Sequence, residues 1–321
     1  MSGALHARDG SAFGKTDWIL LRSDKLAGYP VVASIPVLMV PEIQTPVPRD
    51  IDLRDPRWAE AYNEMDYYNQ SADDFAQSMD ARVAELERCR GADPLSFAWI
   101  DAPYDAASQV DAMNHLGAPA SRVILQLGGM GLHAVKALIA GAAESWLITP
   151  MHSEAQYALE LGRRLGVADR LHAVVGVAEQ LPFGAGTFDA IYAGGCLHHM
   201  AAEYAAAEIG RVLVAGGRFA AVEPWQTVLH KWGTRMLGKR EPNAYCRPLN
   251  AERLRLMCRM FEQFEVRSHG PLLRYAALAW LKLSKRPIRP VTGLRMTRLD
   301  DRLPLPARLG GSVAILATKA N

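Results

Sequence analysis

From Arg122 to the C-terminus, short apolar runs alternate with stretches whose apolar positions recur every three or four residues. The short runs predict strands at 123–127, 146–149, 171–177, 188–193, 218–223, 264–268 and 312–318. The segments 132–141, 153–165, 201–213 and 251–261 predict helices between them. Alternation at this spacing predicts an α/β fold, a mainly parallel sheet with helices on both faces. Ligands in such sheets bind beyond the carboxyl ends of the strands, near a topological switch point. Residues 128–131, 149–151, 177–180 and 194–199 all fall just past strand ends, so they are expected to converge.

The flanking regions have other patterns. Residues 17–45 read as a small β module, with strand-like runs at 18–21, 31–32 and 35–39. Residues 55–90 read as helical: Asp55-Pro56 is a cap followed by proline, and Ser71 to Asp74 resembles a second start. Phe75, Met79, Val83 and Leu86 then form one apolar face. Tyr62, Tyr67 and Tyr68 serve either core packing or a substrate-facing lid. Another helix is expected from Asp105 to Leu116. Near the C-terminus, Leu272, Leu273, Tyr275, Ala276, Leu278, Ala279, Trp280 and Leu283 precede Lys285, Arg286 and Arg289. This is a helix packed on the domain or across a homodimer, or an interfacial helix within 270–290 touching an anionic membrane or a lipid-linked substrate. The resulting organisation is a β module over 1–50, a helical cap or lid over 51–120, a core over 121–225, and a basic substrate or lid region with closing strands over 226–321.

Charge sharpens that division. Residues 46–120 carry 15 Asp/Glu against 6 Lys/Arg, while residues 226–300 carry 16 Lys/Arg against 5 Asp/Glu. The basic residues are not interleaved with stacking aromatics, which argues against nucleic acid. Four cysteines, Cys89, Cys196, Cys246 and Cys258, are dispersed, as expected of a reducing compartment and not of a structural zinc site. No basic and apolar leader is evident, and the apolar run 31–40 is far short of the ~20 residues that cross a bilayer. A cytoplasmic protein is expected. The histidines include no pair at the helical spacing of a zinc protease, so no metal is expected.

The organising stretch is 123–131, Val-Ile-Leu-Gln-Leu-Gly-Gly-Met-Gly. A strand, the glycines Gly128, Gly129 and Gly131, and then a helix present bare peptide N–H groups at a helix N-terminus, which favours polar or anionic ligand groups. Leu181-Pro182-Phe183, Thr187-Phe188-Asp189, Leu197-His198-His199-Met200, Gly216-Gly217-Arg218 and Val222-Glu223-Pro224 follow in order. This series resembles the class I S-adenosylmethionine (SAM) methyltransferases of the small-molecule branch. The resemblance implies a Rossmann-like sheet of seven strands, the last antiparallel. It also implies a SAM site at Gln126, Gly128, Gly129, Gly131, Thr149, Pro150, Met151, Ala178, Glu179 and Gly194. The run Leu20 to Asp24, then Tyr29-Pro30-Val31 and 35–38, loosely resembles the zinc-ribbon activator module of some methyltransferases, without its cysteines and hence without metal.

Three positions where the family usually has acids are Gln126, Thr149 and Val177. A carboxylate accepts both ribose hydroxyls, each bond worth roughly 1.5–3 kcal/mol; a threonine accepts one and a valine none. Two function classes therefore follow. One is SAM-dependent methyl transfer to a small-molecule acceptor, with His198, His199 and Glu223 as candidate bases. The other is a methyltransferase fold that has lost transfer and catalyses cyclisation, elimination or decarboxylation, or acts as a non-catalytic partner.

Overall fold

The computed structural model describes residues 16–21, 27–39, 43–44, 58–59, 61–62, 79–91, 100–227, 248–284, 286, 288–306 and 309–321. The expected helix starts at Asp55 and Ser71, along with Tyr67, Tyr68 and Phe75, lie outside these residues.

The N-terminal strands are β1 (Thr16–Leu21), β2 (Ala27–Val32), β3 (Ile35–Pro36) and β4 (Ile43–Gln44), all antiparallel around β2. Ala33 and Ser34 both take positive φ in the β2–β3 turn, at 47° and 66°. Just beyond β3, Val37 pairs in parallel with Val175, and the Leu38 N–H donates to the Val175 carbonyl at 2.9 Å.

The main sheet has seven strands: β5 (Val123–Leu127), β6 (Glu144–Thr149), β7 (Leu171–Val175), β8 (Phe188–Gly194), β9 (Leu213–Pro224), β10 (Gln263–His269) and β11 (Ser312–Thr318). Their order is β10-β11-β9-β8-β5-β6-β7. Strands β9, β8, β5, β6 and β7 are mutually parallel, while β11 is antiparallel to both neighbours. The expected seven-stranded sheet with one reversed closing strand is therefore present. The chain builds outward in both directions from β5, so the gap between β5 and β8 is the switch point.

The two faces follow from the period-two alternation within each strand. Ile124, Ala190, Tyr192, Ala220, Val222, Ala314 and Leu316 face helices α2 (Ala106–Leu116) and α3 (Leu132–Ile139). Leu125, Leu127, Ile191, Ala193, Phe219, Ala221 and Ile315 form the other face, against α5 (Ala202–Val212). Helix α4 (His152–Arg164) follows β6, and α1 (Met79–Glu87) packs nearby. Two differences from the sequence reading stand out. The helix expected over 251–261 is two short ones, α6 (Ala251–Leu254) and α7 (Met257–Met260). After α8 (Leu273–Ser284), a further helix, α9 (Pro290–Asp300), was not expected. Gly293 inside it masks the helical signal, and the reason for glycine is tertiary: a Cβ there would lie 2.2 Å from the Pro103 carbonyl oxygen.

Candidate functional site at the strand ends

The β5–α3 turn has the geometry its glycines permit. Gly128, Gly129 and Gly131 take φ of 65°, 70° and 71°, the left-handed region that side chains disfavour. Their roles divide. A Cβ on Gly128 would stand 2.8 Å from the Cys196 Cβ, and one on Gly131 would stand 2.5 Å from the Ala158 Cβ. Those two glycines admit the β8 loop and helix α4. Gly129 has only the Gln126 amide nearby, at 3.6 Å, and is half-exposed. Gly129 and Met130 are the half-exposed part of the turn.

Gln126 is buried, and its side chain is used inside the turn. Its Nε2 donates to the Gly128 carbonyl at 2.9 Å, and its Oε1 accepts from the Ala134 N–H in the first turn of α3 at 2.8 Å. An amide does both; a carboxylate would only accept. The residue braces strand, turn and helix together.

Thr149 ends β6 and is 0% exposed. Its hydroxyl donates to Glu154 Oε2 at 2.5 Å and accepts from the Met151 N–H at 3.3 Å. Glu154 sits in the first turn of α4, where a carboxylate is favoured by the helix dipole. The sequence reading did not single out Glu154, which lies five residues beyond the end of β6. Pro150 and Met151, half-exposed, line the passage into α4. Beyond β7, Val177 and Ala178 are buried in apolar clusters. The Glu179 carboxylate turns away from them and accepts from the Ala201 N–H at 2.8 Å, just before α5.

The β8 and β9 ends are laced together. Glu223 is buried, and its Oε1 accepts from the Cys196 and Leu197 N–H groups at 3.0 and 2.7 Å. Its Oε2 accepts from His198 Nδ1 at 2.7 Å. Because that partner is a carboxylate, Nδ1 carries the proton. His199 lies against His198, with ring centroids 4.0 Å apart. The Arg253 guanidinium of α6 donates to the His198 and Met200 carbonyls at 3.2 and 3.0 Å, capping this turn from the basic region. Cys196 Sγ donates to the Leu127 carbonyl at 3.0 Å, which closes the β8 turn onto β5. Gly194 is exposed, with the Tyr192 hydroxyl 2.9 Å from where its Cβ would be.

A second polar cluster lies under the same rim. Lys136, only 1% exposed, pairs with Asp101, and His133 Nε2 is 3.1 Å from the other Asp101 oxygen. Burial drives His133 down to about 4, so its ring is neutral at pH 7. Burial works to raise the Asp101 pKa, but His133 and the Lys136 ammonium outweigh it and hold the carboxyl below its ordinary range. The His133 and Tyr192 rings lie tilted at 37° with centroids 4.2 Å apart, and burial pushes the Tyr192 phenol well up. The spacing His133–Lys136, one turn apart in an otherwise apolar helix, was the available signal for this cluster. Among the described residues, no group of three or more His, Cys, Asp or Glu is placed to hold a metal ion.

Seven strands in this order, with a glycine turn at the switch point, define a class I SAM-dependent methyltransferase fold. Residues 125–221 match the family model described as a methyltransferase domain. No curated protein matches the chain in sequence. Among solved structures it is similar to geranyl diphosphate C-methyltransferase from Streptomyces coelicolor A3(2), solved with Mg2+, geranyl diphosphate and S-adenosyl-L-homocysteine. That match has 18% identity and TM-score 0.48 over 67% of this chain and 79% of the other. It is also similar to YcgJ from Bacillus subtilis, with 19% identity and TM-score 0.44 over 65% of this chain and 96% of that one. The [4+2]-cyclase SpnF matches at 21% identity and TM-score 0.44, over 67% of this chain and 81% of the other.

Proposed function

We propose that the chain is a SAM-dependent methyltransferase acting on a small-molecule acceptor. The observation that carries this reading is the braced glycine turn. Three left-handed glycines, braced by Gln126, leave Gly129 and Met130 half-exposed at the switch point, beside the N-terminus of α3. The donor set fits a nucleoside-bearing ligand if Glu154, steered by Thr149, takes the part of the acid missing from the end of β6. Gly129, Met130, Met151 and Glu154 would then hold SAM, which supplies an electrophilic methyl group on a sulfonium. His198 accepts the acceptor's proton at Nε2, and Glu223 fixes the ring's tautomer and aim. Gln126 and Glu179 keep the turn and the start of α5 in place.

The second reading, a methyltransferase fold that no longer transfers methyl groups, is favoured by one contact. Cys196 packs directly over Gly128 and closes part of the space between β5 and β8.

Isothermal titration with SAM and with S-adenosylhomocysteine separates the two. Binding is expected in the micromolar range. Glu154→Gln should weaken it about tenfold, the loss of one charge-assisted bond. His198→Ala should leave binding intact. No heat and no thermal shift at millimolar SAM would overturn the proposal and leave the second reading.

A further inference from the structure

The outward side of α8 is apolar. Starting from the residue before the helix, Leu272, Ala276, Ala279, Trp280 and Leu283 recur at helical spacing, and all five are exposed, Trp280 at 54% and Leu283 at 85%. The opposite side is anchored. Ala277 is buried, and the Arg274 guanidinium donates to Asp105 at 2.8 Å. The buried Asp300 carboxylate accepts from the Leu272 and Arg274 N–H groups at 3.0 and 3.2 Å, fixing the start of the helix. A helix resting on a soluble domain ordinarily turns its polar side to water. This one does the reverse while being firmly tied down.

Its surroundings are basic. Arg286 and Arg289 follow the helix and are exposed, and Arg295 and Arg298 lie on the exposed side of α9. The enclosing segment 226–300 has 16 Lys/Arg against 5 Asp/Glu. That charge selects the occupant. A second copy would bring two such arginine sets face to face, whereas an anionic surface neutralises them. Twelve residues of helix rise about 18 Å, too short to span a bilayer core of about 30 Å, so the helix can only lie along a membrane.

We propose that α8 is an interfacial docking helix for an anionic lipid bilayer. Trp280 and Leu283 enter the headgroup–acyl boundary, and Arg286 and Arg289 meet lipid phosphates. The inference rests on the outward face of α8 and does not depend on which reaction the strand-end site performs.

The test is co-sedimentation of the full chain with phosphatidylcholine vesicles, with and without phosphatidylglycerol. Binding is expected only to the anionic vesicles and should weaken as salt is raised. Trp280→Glu/Leu283→Glu should reduce partitioning about tenfold or more, and Arg286→Gln/Arg289→Gln should reduce it separately. Circular dichroism melts check that both variants remain folded, and the arginine pair serves alone if the first does not. Three results would overturn the proposal: no sedimentation with anionic vesicles, binding unchanged in either folded variant, or sedimentation velocity showing that these positions instead govern self-association.

Discussion

At Gln126 a single side chain does two opposite things. It gives a hydrogen bond to one carbonyl and takes one from a peptide N–H, inside a buried turn. Restoring the acid that methyltransferases of this class usually carry there should therefore harm this protein. Gln126→Glu sets a carboxylate oxygen against the Gly128 carbonyl with no proton between them. We expect a loss of about 1–3 kcal/mol in unfolding free energy, measured by urea denaturation. An unchanged midpoint would show that the turn does not need the donated bond. The same logic applies at Thr149, whose hydroxyl already serves Glu154. Read singly, Gln126, Thr149 and Val177 are losses; with their partners in view, the first two are fitted parts of a different local arrangement.

At the scale of elements, the closing part of the chain is tied to α2 through one histidine. His269 at the end of β10 bonds Asp301, just past α9, at 2.6 Å and Asp111 on α2 at 3.2 Å, while Arg267 approaches Asp111 at 3.4 Å. Burial opposes a charge on His269, but the two carboxylates overcome it and raise its pKa from 6.5 to about 9. The folded state thus holds this proton more tightly than the unfolded chain does. The resulting stabilisation is complete below pH 6.5 and is lost as pH rises through about 9. It amounts to ~3 kcal/mol at most. Chemical denaturation across that window should show stability falling with pH, and His269→Gln should flatten the slope. A wild-type slope equal to the variant's would dismiss the linkage.

Across the whole molecule, the N-terminal strands guard the open side of the sheet. Strand β7 is an edge, and an unpaired edge invites association with other chains. Val37 pairs with it, and Val32, Ile35, Val37 and Met39 pack against Leu147, Ala155, Ala158, Ala173 and Val175. The Tyr62 hydroxyl ties the same segment through the Met39 carbonyl. Removing residues 1–45 should bare this apolar cluster and the β7 edge together. Light scattering should then report aggregation, and calorimetry a lower melting temperature. A truncated chain that stays monomeric and equally stable would make the module dispensable to the fold.

The central strands of the main sheet were legible in the sequence because their apolar runs are short and branched, and burial on both faces leaves no other pattern. The glycine turn was legible for a related reason: a left-handed backbone leaves glycine as nearly the sole choice, so local need writes itself into local sequence. Helix α9 was not legible, because Gly293 answers to Pro103, nearly two hundred residues away in the chain. Nor did Glu154 or Arg253 stand out, and the Asp101–Lys136–His133 cluster showed only as two polar residues one turn apart in α3. Charged residues carry no periodic signal, and what makes each consequential is a partner that only folding brings near. Sequence determined the sheet and where its ends fall; tertiary packing decided which polar groups at those ends are already spoken for, since hydrogen bonds depend on distance in space and not on position along the chain.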